Sequence, residues 1–116
     1  MPPYTNLLVW QQARVLVKDI YLVAAALPPT ERFNLSDQLR RAAISIVSNI
    51  AEGSRRVHHK EKRQFYSIAY GSASEIEAQL TIIEDLSLAP TQTVSKTQTE
   101  LQSVLRLLNR LLQTFR

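Results

Sequence analysis

A run of basic and imidazole side chains near the middle of the chain is the group best suited to bind an anion. This basic segment spans nine positions and contains Arg55, Arg56, His58, His59, Lys60, Lys62 and Arg63, interrupted by Val57 and Glu61. Such cations gain affinity for phosphates by releasing counterions, and a helix that starts here adds backbone N–H donors. We therefore predict a nucleic-acid contact made by Arg55, Arg56, Lys60, Lys62 and Arg63. A solvated turn is the alternative.

The surroundings of the basic segment suggest how such a contact would work. At helical spacing Arg56, Lys60 and Arg63 would share one face, and the pairs Arg14 with Lys18 and Arg106 with Arg110 either extend the footprint or simply face solvent. Phe65 and Tyr66 begin a core pattern, so no aromatic platform accompanies the cations. Base-specific reading of single strands is therefore not predicted.

A line of polar side chains follows one face of the preceding segment. At helical spacing it contains Arg41, Ser45, either Ser48 or Asn49, and Glu52, and Glu75 and Gln79 could complete it from the third helix. Buried polar groups need hydrogen-bond partners, so we expect a satisfied network within the molecule or between subunits. A binding pocket is the alternative function of this polar line.

Known catalytic patterns are missing from the sequence. No glutamate has a histidine three residues later, the chain has no cysteine, and its two glycines, Gly53 and Gly71, cannot form a phosphate-binding loop. Adjacent His58 and His59 would point about 100° apart on a helix. We expect no enzyme activity, no cofactor and no metal site, unless several subunits together assemble a site around Asn49, Glu52 and Glu75.

Four helices must position these side chains. Apolar residues recur at helical spacing over about residues 7–27, 35–54, 58–87 and 95–115, and prolines at positions 28, 29 and 90 mark two of the turns. Short connections favour antiparallel neighbours, so the predicted fold is an all-α, up-and-down antiparallel four-helix bundle. Asn34 or Ser36 is expected to cap the second helix, and a close helix crossing would explain Gly71.

Two further features concern partners. Beside the core stripe of the first helix lies a second stripe, Trp10, Val17, Tyr21 and Ala24, which is more apolar surface than one bundle face requires. The 116 residues, 45% of them apolar, suit a single domain over residues 1–116, and a net charge of +4 permits an acidic partner. Without a signal-peptide pattern or a membrane-length apolar run, we expect a soluble, cytoplasmic protein.

Several short motifs occur in a fixed order along the chain. They are VWQ at positions 9–11, PPTE at 28–31, QLRRAA at 38–43, the run from Ser45 to Gly53 (SIVSNIAEG), and AYGS at 69–72 followed by Glu75. Together they resemble the motifs of the four-helix-bundle protein family encoded in intervening sequences of bacterial 23S ribosomal RNA genes. Val47 stands where the family often has proline, which leaves the second helix unbroken.

The resemblance implies an antiparallel helical fold and, in several members, a ring of five subunits with a central channel. It also implies distant kinship with the accessory proteins of diversity-generating retroelements, basic pentamers that bind a reverse transcriptase and nucleic acid. Those proteins generally lack the SNIAEG run found at positions 48–53, so their activity does not transfer residue by residue.

Two functional hypotheses follow. In the first, the protein is a non-enzymatic homo-oligomer, most simply a pentamer, that binds RNA or DNA through the five cations of the basic segment. In the second, it is an oligomeric scaffold that binds only protein partners, and the polar line makes the subunit contacts. Removing the basic segment would abolish function in the first case and spare it in the second.

Overall fold

The computed structural model describes residues 3–116, which form four α-helices. They are α1 (Leu8–Ala26), α2 (Leu35–Ser54), α3 (His59–Asp85) and α4 (Thr91–Thr114), with short 3-10 turns at Tyr4–Asn6 and Pro29–Glu31. This part of the chain contains no β-strand. Within the same range, none of the helices has the length and hydropathy needed to cross a bilayer. The all-α prediction is confirmed.

The four helices pack in the order in which they occur. α1 contacts α2, α2 contacts α3, α3 contacts α4, and α4 returns to α1, which closes an elongated bundle of 43 × 24 × 21 Å. Connections of a few residues between long helices force neighbours to run antiparallel. The predicted up-and-down four-helix bundle is therefore confirmed.

One connected apolar core runs along the bundle axis. The predicted stripe of α1, from Val9 to Leu27, is buried, and so are Ile46 and Ile50 of α2. In the third helical segment, apolar spacing predicts Ile68 and Leu86 among the core residues, but both remain outside the core, 48% and 62% exposed. The neighbouring Ala69 occupies the core in place of Ile68, and Leu86 lies just beyond the last helical residue.

The apolar surface outside the core differs from the predicted second stripe. Ala24 is buried and Trp10 and Val17 are half-buried, so most of that stripe fills space within the bundle. A different set, Leu8, Val15 and Leu22, faces outward at a spacing of seven residues. Their exposed fractions are 56%, 52% and 58%.

Helix bounds agree closely with the sequence except at α4. This helix begins at Thr91, four residues before the predicted start at position 95. Pro90 has an extended backbone, with ψ of 132°, and the helix begins directly after it. The polar run that follows contains two core positions, Val94 and Thr97, which are 1% and 0% exposed. Burial of these side chains favours the earlier start.

The predicted side-chain cap at the start of α2 is wrong. Neither Asn34 nor Ser36 makes a side-chain capping bond at the start of this helix. Instead, the Ser36 hydroxyl donates to the carbonyl of Ala24 at 3.1 Å, which fastens the start of α2 to the end of α1. The Asn34 side chain accepts a hydrogen bond from Gln38 at 2.8 Å.

The close helix approach occurs at Gly53 and not at Gly71. A Cβ on Gly71 would meet no atom within 4 Å, so the predicted close helix crossing there is wrong. A Cβ on Gly53 would lie 2.7 Å from Cε1 of Tyr66. The absence of a side chain at Gly53 is therefore what lets the end of α2 approach the first turns of α3.

Candidate nucleic-acid interface

The basic segment lies at one end of the bundle, beside both chain termini. The Arg55 guanidinium lies over the Tyr4 ring, 5.2 Å from its centroid, which places the connection between α2 and α3 next to the start of α1. The His59 ring lies 5.1 Å from that of Phe115, at the end of α4. Four helix termini thus meet at this end.

Charge is strongly segregated along the bundle axis. When each helix is divided at its midpoint, residues 3–17, 45–72 and 103–116 form the half that contains the basic segment. We call this half the basic end. It holds nine of the 14 lysines and arginines: Arg14, Arg55, Arg56, Lys60, Lys62, Arg63, Arg106, Arg110 and Arg116. Of the ten acidic residues it holds two, Glu52 and Glu61. The antiparallel packing therefore concentrates positive charge that is dispersed along the sequence.

Aromatic rings support several of these cations. Arg56 lies 4.9 Å from the ring centroid of Phe65, Arg14 lies 5.7 Å from that of Trp10, and Lys62 lies 5.6 Å from that of Phe115. A cation over a ring face contributes about 0.5–1 kcal/mol at exposed sites. These contacts favour orientations in which the cation lies over its ring.

Two predicted phosphate contacts also bind the ends of neighbouring helices. The Lys62 ammonium donates to the carbonyls of Gly53 and Ser54 at the end of α2, at 3.3 Å and 2.9 Å. The Arg63 guanidinium donates to the carbonyl of Leu112 near the end of α4. Final-turn carbonyls lack helical partners and carry the negative end of the helix dipole, so cations stabilise them. Lys62 and Arg63 thus tie three helices together.

The other predicted contacts occupy different environments. Arg55 and Lys60 are exposed. Arg56 lies in the connection before α3, which begins at His59, so the predicted helical face with Lys60 and Arg63 does not form. The Arg56 guanidinium instead pairs with the Glu52 carboxylate at 3.0 Å. Sequence reasoning also missed Arg116, the last residue, which the bundle places at the same end as Arg55.

Part of the polar line joins α2 to α3. The Asn49 amide donates to the backbone carbonyl and the hydroxyl of Ser45, at 2.8 Å and 3.1 Å. The Ser72 hydroxyl donates to the Ser45 hydroxyl oxygen at 2.8 Å. Ser72 on α3 therefore provides the cross-helix contact that the sequence assigned to Glu75.

The remaining members of the polar line separate from this network. Glu52 is occupied by its ion pair with Arg56, and Glu75 accepts a hydrogen bond from Gln79 at 3.2 Å. Arg41 is exposed. Of the five predicted residues, only Ser45 and Asn49 are hydrogen-bonded to each other, and Arg41, Glu52 and Glu75 each lie in a separate environment.

A carboxyl pair between α1 and α4 was not anticipated. Asp19 is 8% exposed and lies 4.0 Å from the Lys96 ammonium. Burial, a hydrogen bond to Asp19 and the negative charge of Asp19 raise the pKa of Glu100 to about 7, although Lys96 opposes the shift. The Glu100 carboxyl can therefore keep its proton up to near neutral pH. The signal in the sequence is that Asp19 interrupts the apolar stripe between Leu16 and Val23.

Residues 3–116 contain no cluster of three or more histidine, aspartate or glutamate side chains able to hold a metal ion. His58 and His59 are exposed, and His59 packs edge-on against Phe115.

Comparison with known proteins identifies the family. No curated protein matches the chain. Residues 5–110 match the family model described as the 23S rRNA-intervening sequence protein. That match covers the four helices almost completely, including the α2 run and the basic segment. The chain therefore belongs to the 23S rRNA-intervening sequence protein family.

Proposed function

We propose that this protein is a non-enzymatic homo-oligomer that binds RNA or DNA through its basic end. The segregation of charge carries the proposal, because nine of 14 cations and only two of ten acids lie in that half of the bundle. A concentrated positive field attracts the phosphate backbone and accelerates association. The net charge of the whole chain, +4, is smaller than the excess of positive over negative side chains in this half of the bundle.

The cations of the basic end have two roles in this proposal. The exposed cations contact phosphates directly, and they are Arg14, Arg55, Lys60, Arg106, Arg110 and Arg116. The half-buried cations Arg56, Lys62 and Arg63 contact the ends of neighbouring helices and add to the positive field at the surface. Loss of an exposed cation should weaken binding without unfolding the protein, whereas loss of Lys62 or Arg63 should do both.

A salt titration with matched charge variants tests the proposal. Binding of labelled RNA and DNA is measured by fluorescence anisotropy for the triple variant Arg55→Gln, Lys60→Gln, Arg110→Gln. The control, Lys18→Gln, Arg32→Gln, Arg41→Gln, removes the same charge from the opposite half. We expect at least about tenfold weaker binding and a shallower salt dependence for the first variant only. Equal losses in both variants, or binding that ignores salt, would reject the basic end as the site.

Self-association rests on a separate observation. Leu8, Val15 and Leu22 expose more than half of their surface along α1 at heptad spacing. A row of exposed apolar side chains along one helix is typical of a contact with another protein chain. We propose a second copy of this chain as the occupant, within a ring of five subunits such as the family resemblance implies.

Light scattering tests the assembly and also separates the two functional hypotheses. The double variant Val15→Gln, Leu22→Gln should lower the measured mass, whereas Ile82→Gln, at a position 49% exposed on α3, should not. A monomeric wild-type protein would reject self-association. If the basic-end variant retains assembly and partner capture and no nucleic acid binds, the scaffold hypothesis replaces nucleic-acid binding.

A further inference from the structure

We infer that the basic end binds nucleic-acid duplexes in preference to single strands. The inference rests on the proposed function and adds the class of nucleic acid that the end selects. It follows from the contacts that the aromatic rings of this end make with cations of the same chain.

Single-strand binding proteins hold bases on free aromatic faces, at about 1–3 kcal/mol per base. The rings at the basic end are occupied by groups of the same chain. Tyr4 has the Arg55 guanidinium 5.2 Å from its centroid and the Trp10 ring at 5.1 Å. Trp10 in turn lies beneath Arg14, 5.7 Å away. Both rings at the start of the chain therefore support cations.

The remaining rings of this end are similarly engaged. Phe115 has the His59 ring at 5.1 Å, the Tyr66 ring at 5.8 Å and the Lys62 ammonium at 5.6 Å. Phe65 lies beneath the guanidinium of Arg56. Tyr66 is 2% exposed, and Tyr70 packs against the core. A base that stacked on the occupied face of Tyr4 or Trp10 would have to displace Arg55 or Arg14, which would also remove a proposed phosphate contact.

The restraint on the cations favours a rigid partner. Ring contacts favour particular orientations of Arg14 and Arg55, which contact phosphates in the proposed function, and helix carbonyls hold Lys62 and Arg63 near them. A preorganised array loses little side-chain entropy when it meets phosphates at fixed positions, as in a duplex. A flexible single strand must itself be ordered on the array and gains no stacking in return.

The bundle is wider than a duplex groove. It is 24 by 21 Å across, whereas the major groove of B-form DNA is about 12 Å wide, so the end would lie across a groove without entering it. The contact would read backbone shape rather than base sequence.

Anisotropy titrations with three labelled probes of equal phosphate number test this inference. The probes are an RNA duplex, a DNA duplex and an unstructured oligothymidine, all measured at the same salt concentrations. We expect at least one duplex to bind about tenfold or more tightly than the single strand. Comparison of the two duplexes identifies the preferred helix. Equal or tighter binding of the single strand, with salt dependence retained, would overturn the duplex preference and leave the proposed function intact. The absence of salt-dependent binding to every probe would overturn both.

The variant Tyr4→Leu separates a supporting ring from a stacking ring. If Tyr4 supports Arg55, duplex affinity falls severalfold and single-strand affinity changes little. If Tyr4 stacks on bases, the single strand loses more, and the inference is wrong. Phe33→Leu is the matched control, because Phe33 is 83% exposed beneath Arg32 at the opposite end of the bundle. It should change neither affinity.

Discussion

The ammonium of Lys62 lies 2.9 Å from the carbonyl oxygen of Ser54, so a side chain in the first turn of α3 donates a hydrogen bond to the last turn of α2. The same ammonium reaches the carbonyl of Gly53. A residue that reads as a surface cation in the sequence is thus part of a helix junction. This relationship links the charge of the basic end to the stability of the bundle.

Lys62→Gln should lower the free energy of unfolding by about 1–2 kcal/mol, because the carbonyls at the end of α2 lose a charged donor. Urea denaturation followed by circular dichroism measures the change. Lys60→Gln is the matched control, since Lys60 is exposed and two positions away. Similar stability of the two variants would show that the Lys62 contacts contribute nothing.

Gly53→Ala should destabilise the protein by about 1–3 kcal/mol, since the new methyl group would lie against the Tyr66 ring and force α2 and α3 apart. Gly71→Ala should instead stabilise it by about 0.5–1 kcal/mol, because this exposed helical position has room for a side chain. Thermal unfolding of both variants tests the contrast. A stabilised Gly53→Ala protein would contradict the close approach of these helices.

Ser87→Gly should stabilise the protein by about 0.5–1 kcal/mol. Ser87 has a φ of 52°, a left-handed conformation that glycine adopts without strain. It ends α3 with hydrogen bonds from Ser87 N–H to the Glu84 carbonyl and from Leu88 N–H to the Ile83 carbonyl. Denaturation midpoints compare Ser87→Gly with Ser87→Ala, which retains the strain. No difference between the two would argue against the left-handed conformation.

Glu100 should make the stability of the bundle fall as pH rises from about 4.5 through 7. The raised pKa means that folded Glu100 keeps its proton up to about pH 7, whereas an unperturbed glutamate releases it near 4.5. Between these values the unfolded state binds fewer protons, so the free energy of unfolding decreases with pH. Above pH 7 the penalty is complete, because the Glu100 carboxylate then faces that of Asp19 beside a single ammonium, Lys96.

The variant Glu100→Gln removes this titration and keeps a group able to donate to Asp19. It should be more stable than the wild type at pH 8 and show a flatter profile between pH 5 and 8, measured by urea denaturation. Glu84→Gln, at an exposed position of α3, is the control and should follow the wild-type profile. If the wild-type slope persisted in Glu100→Gln, another group would be responsible.

Local sequence is sufficient for the helices and their order. Apolar spacing near 3.6 residues and the prolines at positions 28, 29 and 90 act within a few residues of where they occur. The bounds of α2 therefore agree with prediction at both ends. The start of α4 does not, because burial of Val94 and Thr97 by the rest of the bundle outweighs the polar appearance of that run.

Local sequence also identifies the basic segment, since its cations are neighbours in the chain. The roles of individual cations depend on packing, because their partners are distant in sequence. Arg63 binds the carbonyl of Leu112, 49 residues away, and Arg55 meets Tyr4 near the start of the chain. Only the antiparallel packing places Arg14, Arg106 and Arg116 in the same half of the bundle as the basic segment and pairs Asp19 with Glu100, because these residues lie on different helices and far apart in the sequence.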